Sequence, residues 1–495
     1  MMARFDSLNR FNFKIVMRAT GVLLLVMAAS MVLPIAASLH YRDGAQFDLA
    51  LSALTMGAMG LLLRNILGRD PDYTVSERES FWITAFVWLV IPAVGAVPYL
   101  FTGAAPRVVD ALFESYAGFT TSGSSALSFS HRVPEGLLVW RSMTQWIGGL
   151  GLILFVVAAL RRLRASGAGL YDAEFSGTVQ RRLRPHMAAT VGTMWRVYIV
   201  LTVALLTLLL VLGNNPLHAF CITLSTVSTG GFLPAPDALE AFGPVSLLAV
   251  ALFMLLSGVN IALLFYIMTL RPRAAWRDEE LHVYLCAFLA VAVVCAVALL
   301  VRQPVFGAGR AVTSAIFHAA SAISTCGYAY PHGGALPMMA RALIVLLLLA
   351  GASSGSTGGA LKWKRVMALM KHMRNYMLRT LHPASVRAVT LNHTVIDEGY
   401  VSKILAFVFL YIVFIVTGGF VLVVCGLDIP TALLTAAANI GNTGTEAMLH
   451  SLGAEVTYAS LPALGKFALM ALMLLGRVEI FAFVAIFSPA YWRRR

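Results

Sequence analysis

Ten segments of this chain are long and apolar enough to cross a lipid bilayer, and that one feature decides its fold class. They run 19–40, 47–67, 80–101, 136–160, 192–213, 245–270, 281–301, 338–361 (interrupted), 401–425 and 462–488. About 20 mostly apolar residues match the hydrocarbon core of a membrane. Inside lipid every backbone N–H and C=O needs an internal partner, which a helix supplies within one segment. The sequence therefore predicts an all-α polytopic membrane protein. Composition agrees: 59% of residues are hydrophobic and 12% charged, against about a quarter charged in a soluble domain.

The net charge of +14 raises the question of nucleic acid. Its distribution answers it. Basic residues cluster in short loops, at Arg161, Arg162, Arg164, Arg181, Arg182 and Arg184, then Arg271, Arg273 and Arg277, then Lys362, Lys364, Arg365, Lys371 and Arg374. The N-terminus adds Arg4, Arg10, Lys14 and Arg18, and the chain ends in Arg493, Arg494 and Arg495. Excess in alternating loops is the positive-inside pattern. It excludes a nucleic-acid partner, names the lipid bilayer instead, and puts both termini in the cytoplasm. The five cysteines form no CxxC pair, so neither a disulfide framework nor a zinc site is expected. The first apolar run exceeds a signal-peptide core and reads as a retained span.

Four shorter pieces, 107–119, 216–227, 310–323 and 429–440, lie between spans. Segments of this length are too short to cross a membrane, and the length class includes re-entrant segments. Asn215-Pro216 and the Asp428/Pro430 pair are helix-start signals. Each piece runs into small polar residues and glycine: SYAGFTTSGSS near Gly123, LSTVSTGGFLP near Gly231, SAISTCGYAYP near Gly327 and AANIGNTGTEA near Gly444. Successive glycines are 108, 96 and 117 residues apart. This is an approximate internal repeat of span, short helix, Thr/Ser-x-Gly turn and span. It divides the chain into two N-terminal helices (1–72) and pore repeats at 75–165, 185–272, 278–375 and 398–495.

Irregular backbone at membrane depth is tolerated where it is buried or lines a watery cavity. Four such turns around one axis do both. The short helices would aim their partially negative C-terminal ends at the centre. Four sets of backbone carbonyls then replace the water shell of a bare monovalent cation. Glycine allows the backbone conformations the strand needs. The plain alternative, four extramembrane turns rich in Gly, Ser and Thr, does not account for the repetition.

WRSMTQWIGGLGLILF (140–155), LHPASVRAV (381–389) and LLGRVEIFAFVAIFSPAYWR (474–493) make the chain resemble the TrkH/TrkG/KtrB family of potassium uptake proteins, relatives of the plant HKT transporters. The resemblance covers nearly the whole chain. It implies four membrane–pore-loop–membrane repeats around one pseudo-fourfold potassium pathway, plus two extra N-terminal helices. It carries the potassium filter onto Thr121, Ser122 and Gly123; Thr229, Gly230 and Gly231; Thr325, Cys326 and Gly327; and Asn442, Thr443 and Gly444. In this superfamily a serine at the first-loop glycine goes with sodium permeation, and Gly123 is glycine. Two departures stand out. Cys326 occupies a place where threonine is usual, and the fourth loop reads GNTGTEA rather than GPGLG, which leaves Gly441 as a rival to Gly444. Glu446, just beyond, has a cation-attracting reading at the outer mouth, with a capping or a solvated role as the alternatives.

GASSGSTGGALKWKR (351–365) interrupts the eighth span. By resemblance, Gly351, Ala352, Ser353, Ser354, Gly355, Ser356, Thr357, Gly358 and Gly359 form an intramembrane gate below the filter. The alternative is a small-xxx-small packing face at Gly351, Gly355 and Gly359. Arg477 sits inside the last span, where a charge is costly and usually functional. The resemblance places it in or near the pathway as a charge barrier, with pairing to Glu479 as the alternative. Lys362 reads as a second barrier or a cytoplasmic anchor. Glu114 is expected to make structural hydrogen bonds, and His218 and His318 to be packed helix residues.

The chain is thus expected to be a potassium uptake protein of the bacterial inner membrane and not an enzyme. Potassium is its substrate, and no covalently bound cofactor is implied. Family members work as homodimers on a TrkA-like cytoplasmic nucleotide-binding ring. Rival readings are a sodium-permeable or weakly selective cation transporter, and a coupled transporter of an organic substrate, which calls for inverted repeats. A membrane enzyme needs a convergent His, Asp, Glu or Cys constellation, and the buried acids here are scattered.

Overall fold

The computed structural model describes residues 13–65, 77–129, 133–151, 187–269, 272–302, 307–331, 333, 335–382, 388–392, 394–478 and 480. Two helices, α1 (Phe13–Ser30) and α2 (Val32–Tyr41), form one continuous span that packs on α3 (Gln46–Asn65). The element order long helix, short helix, turn, helix then recurs. It begins with α4 (Glu77–Gly95) and its extension α5 (Val97–Phe101), the short α6 (Val108–Phe119), and α7 (Glu135–Gly149). Next come α8 (Met187–Val211), the short α9 (Pro216–Val227), and the pair α10 (Pro244–Ser257) and α11 (Ile261–Met268), followed by the small α12 (Pro272–Ala275). Third are α13 (Glu279–Arg302), the short α14 (Ala308–Ser324), α15 (Met338–Ala350) and α16 (Trp363–Leu381). A two-stranded antiparallel hairpin, β1 (Val389–Leu391) with β2 (Thr394–Ile396), leads to α17 (Glu398–Val424), the short α18 (Ile429–Ile440), the small α19 (Glu446–Ser451) and α20 (Ala463–Arg477).

The short helices start where the sequence says. The Asn215 side chain accepts from the N–H groups of Leu217 and His218 at 3.0 and 3.3 Å, and that of Asp428 from Thr431 at 3.2 Å. The hydrogen bonds from Thr431 hold the Asp428 carboxyl below its usual range.

Ten unbroken spans do not appear. Six helices among the described residues are long and apolar enough to cross a membrane, or seven if one bent pair is counted as a span. The shortfall has three causes. The segment 245–270 bends by 111° between α10 and α11, because Asn260 caps α11 by accepting from the Ala262 N–H at 2.9 Å. The segment 338–361 is helical only to Ala350. The helices of 136–160 and 462–488 are described to Gly149 and Arg477, and most of the remainder of each segment lies outside the described residues. The basic cluster 161–184, the terminal arginines and Glu479 also lie outside them. Exposed apolar side chains cover the outside, among them Leu54, Val203, Val293, Phe409 and Phe420, as a lipid-facing surface requires. The chain is a multi-pass helical membrane protein.

Candidate functional site

The four short helices end alike. At each end one residue takes left-handed backbone: Thr121 (φ 59°), Thr229 (φ 55°), Thr325 (φ 63°) and Asn442 (φ 55°). The next residue closes back on its helix. The N–H of Ser122 donates to Ala117 at 3.0 Å, Gly230 to Ser225 at 2.7 Å, Cys326 to Ser321 at 3.0 Å and Thr443 to Ala438 at 2.8 Å. Helices commonly stop this way, but on a glycine. Threonine is β-branched, and for such a residue positive φ is a genuine outlier. Each costs on the order of 1–3 kcal/mol and persists only where its surroundings over-determine it.

These turns touch one another in sequence order. A Cβ on Gly123 would lie 2.4 Å from the Gly230 oxygen, and one on Gly231 2.0 Å from the Cys326 oxygen. Gly327 approaches Thr443, and the Gly444 N–H donates to the Ser122 oxygen at 2.8 Å. The first turn thus meets the second, the second the third, the third the fourth, and the fourth the first. All the filter candidates named from the sequence lie in this buried ring.

The fourth turn carries its own register mark. Gly441 (φ −77°, ψ −6°) has the helix-end conformation of Thr120 (φ −79°, ψ −3°) and Ser228 (φ −79°, ψ −6°). Asn442-Thr443-Gly444 therefore stands in register with Thr121-Ser122-Gly123. One departure remains: Gly123, Gly231 and Gly327 have positive φ (75°, 79° and 88°), and Gly444 does not.

Side chains that sequence reasoning passed over hold the ring. Gln145 on α7 donates to the Gly230 oxygen at 2.7 Å and accepts from the Phe232 N–H at 3.1 Å. Asn439 accepts from Ser122 and Ser124 at 3.2 and 2.8 Å and donates to the Tyr458 hydroxyl at 3.0 Å. Tyr458 in turn donates to the Gly444 oxygen at 2.6 Å. Glu114, expected to be structural, is fully buried against Arg141, whose guanidinium also donates to the Leu233 oxygen at 2.6 Å and stacks 3.7 Å from the Phe232 ring centre. A polar or charged residue inside an apolar span is a signal in itself, and Arg141 and Gln145 carried it. Lys466 pairs with Asp110 at 2.5 Å and ties α20 to α6. His318 accepts from the Tyr330 N–H at 3.4 Å as a packed residue of α14. Glu446 accepts from the Tyr458 N–H at 2.7 Å, the capping reading, and burial raises its carboxyl above the usual range.

The segment 351–362 leaves helical backbone and lies against the ends of the short helices. Gly359 N–H donates to the Thr325 hydroxyl at 3.0 Å, and a Cβ on Gly359 would lie 2.4 Å from the Gly441 oxygen. Thr357 donates to the Val227 oxygen at 3.3 Å. Gly358 sits under Ser324. Gly351 and Gly355 have positive φ (72° and 78°). Ser353 N–H donates to the Gly258 oxygen at 2.9 Å and Ile261 N–H to the Gly355 oxygen at 3.1 Å, so this segment fills the α10–α11 break. Ser356 folds back on Ser353 at 2.6 Å, and Ala352 accepts from Trp363 at 3.2 Å. Glu280, buried on α13, accepts from the N–H groups of Ser354 and Lys364 at 2.6 and 3.2 Å. Arg477 donates to the oxygens of Thr357, Gly148 and Gly149 at 2.7, 2.6 and 2.7 Å. Its guanidinium therefore clamps this segment to the end of α7. Lys362 precedes α16 with φ 71°, and its N–H donates to the Ala350 oxygen at 2.9 Å.

The family model for TrkH, described as a cation transport protein, matches residues 61–494. The chain belongs to the TrkH family. It is similar to the Trk system potassium uptake protein TrkH of Salmonella typhimurium, at 30% identity over 97% of this chain and 100% of that one. It is also similar to TrkH of Halomonas elongata (30%; 98% and 100%) and to TrkG of Escherichia coli K12 (28%; 98% and 100%). The crystal structure of the potassium transporter TrkH from Vibrio parahaemolyticus superposes with a TM-score of 0.87 at 25% identity, covering 98% of this chain and 100% of that one. This is a family of transporters, not enzymes.

Proposed function

We propose that this chain takes up potassium across the bacterial inner membrane, through a pathway whose selective part is the ring of four turns. The observation that carries this reading is the same left-handed closure repeated at Thr121, Thr229, Thr325 and Asn442. Four α-helix C-termini end at one place, and each brings partial negative charge there. Carbonyls at that place can stand in for the water around a potassium ion. The repeats 75–165, 185–272, 278–375 and 398–495 each supply one turn to this pseudo-fourfold arrangement, with 1–72 as an N-terminal addition.

The 351–359 segment is the gate in this reading, since it lies against the ends of α9, α14 and α18. Arg477 holds it in place and puts a positive charge beside the ring; Lys362 marks its far end. Both termini face the cytoplasm, and the chain works as a homodimer on a TrkA-like nucleotide-binding ring docked on the basic loops. Cys326 and the different backbone at Gly444 keep a sodium-permeable reading in view.

The test is growth of a potassium-uptake-deficient bacterium on limiting potassium. Wild type supplied with a ring partner is expected to rescue, and Gly327→Ser to lose rescue or gain sodium sensitivity. Wild type that reaches the membrane but does not rescue would remove the potassium assignment.

A further inference from the structure

The glycines of the first three turns face one atom. A Cβ on Gly123 would lie 2.6 Å from the Thr445 methyl, Cγ2; one on Gly231, 2.8 Å; one on Gly327, 2.9 Å. A single methyl that a Cβ on each of three glycines from three turns would strike lies where those three Cβ directions converge. The fourth turn puts it there. Gly444 lacks the positive φ of its counterparts, and the backbone leaves it toward α19 with Thr445 turned inward. The Cβ direction at Gly444 meets the Ser124 hydroxyl at 2.4 Å and the Asn439 side-chain oxygen at 2.7 Å instead. Thr445 is 5% exposed. Its hydroxyl donates to the Gly327 oxygen and accepts from the Met448 N–H at 3.3 Å, so the rotamer is held at two points.

We infer that Thr445 is a specificity-determining residue: its methyl group narrows the space between Gly123, Gly231 and Gly327 and sets the size of cation that passes the ring. The inference rests on the reading of that ring as the ion pathway. A hydroxyl carries one O–H and two lone pairs; here the O–H and one lone pair are spent on Gly327 and Met448, which fixes where the methyl points. The ring is thus not four equivalent backbones. Three turns supply left-handed glycines, and the fourth supplies a side chain in the gap they leave.

The residue also caps α19, and the experiment separates the two roles. Proteoliposomes of the full-length protein are loaded for uptake of potassium, rubidium, caesium and sodium. Thr445→Ser keeps the hydroxyl, the cap and the bond to Gly327 and deletes only the methyl. Thr445→Val keeps the methyl and deletes the hydroxyl. The caesium-to-potassium uptake ratio is expected to rise on the order of fivefold in the serine variant, because pore width and lining set selectivity, and to stay within twofold of wild type in valine. A ratio that moves in valine and not in serine overturns the inference, as does one that moves in neither while Gly327→Ser abolishes uptake; Thr445 is then a helix cap and the pathway stands. If Gly327→Ser and Gly231→Ser also leave uptake unchanged, the pathway reading itself falls, and Thr445 with it. Serine is the mildest change available, so a serine variant that does not fold would show that the methyl is a packing element and would also overturn the inference.

Discussion

The ring of turns and the 351–359 segment are built from the same residue types and held in opposite ways. Each turn is closed by its own helix, through a bond that spans five residues of sequence. Its neighbours then lock it with buried side chains such as Gln145, Asn439 and Tyr458. The 351–359 segment has one small turn of its own, Ser356 on Ser353, and is joined to the rest of the molecule mainly by remote bonds. Its anchors lie far away in sequence, among them Glu280 on α13, Thr325 at the end of α14 and Arg477 on α20. A locally closed turn cannot shift without losing its helix end. A segment held mainly by remote groups can shift when one of them moves. Small polar residues thus serve rigidity in one place and mobility in the other, and the difference lies in what they bond to.

The comparison breaks most sharply at Gly231. Its φ of 79° and the 2.0 Å approach of the Cys326 oxygen leave no room for a side chain. Gly231→Ala is expected to abolish potassium uptake in proteoliposomes, a loss of about 100-fold or more, since backbone rather than a flexible side chain would have to give. Uptake at the wild-type rate would mean that the ring is not rigid.

Next in size is the Glu114–Arg141 pair. Both side chains are almost fully buried. Removing one partner strands a charge in a low-dielectric interior at a cost of about 3–5 kcal/mol. Arg141→Ala is expected to lower the thermal midpoint of the detergent-purified protein and to leave little folded material. A midpoint within a degree or two of wild type would show that the second turn does not depend on this support.

A smaller effect, of opposite sign, is expected at the remote anchors. Glu280→Ala deletes the acceptor for Ser354 and Lys364, and Arg477→Ala deletes the donor to Thr357. Hydrogen bonds to charged groups contribute about 1.5–3 kcal/mol each. If the segment is held in a blocking position, either change should raise potassium flux by about tenfold, one such bond's worth, with the caesium-to-potassium ratio unchanged. A changed ratio would mean that the segment and the ring are one mechanical unit, and would erase the contrast.

The same division separates the parts of the molecule that were legible in the sequence from those that were not. The short helices α9 and α18 were readable to the residue because Asn215, Pro216 and Asp428 act on their own neighbours. The interruption at 351–359 was readable from its composition alone. The α10–α11 bend was not read, although Asn260 ahead of an apolar run is a helix-start signal of the same kind. Pairing across distance stayed hidden. Nothing near Glu280 names Ser354 as its partner, and nothing near Arg477 names Thr357. The left-handed threonines were hidden for another reason. Local preference argues against them, and only the assembled ring holds them there.

The mildest prediction tests the local side of the contrast at the fourth turn. Gly441 and Gly444 lie three residues apart, and sequence alone did not separate them. Gly441 has ordinary helical backbone, and the nearest atom along its Cβ direction is the Ala437 oxygen at 3.1 Å, the acceptor of its own N–H. Gly441→Ala is therefore expected to cost less than about 1 kcal/mol, since alanine is the better helix residue, and to transport at close to the wild-type rate. At Gly444 a methyl would meet the Ser124 hydroxyl at 2.4 Å and the Asn439 oxygen at 2.7 Å, and both are already bonded to each other. Gly444→Ala must push that pair apart, which unseats Ser122 and the first turn with it. Uptake and sodium exclusion measured on the two variants decide the register. Loss in Gly444→Ala with function kept in Gly441→Ala fits a turn closed on Asn442. The reverse would move the turn back by three residues, place Asn442 outside it, and leave the fourth helix end unlike the other three.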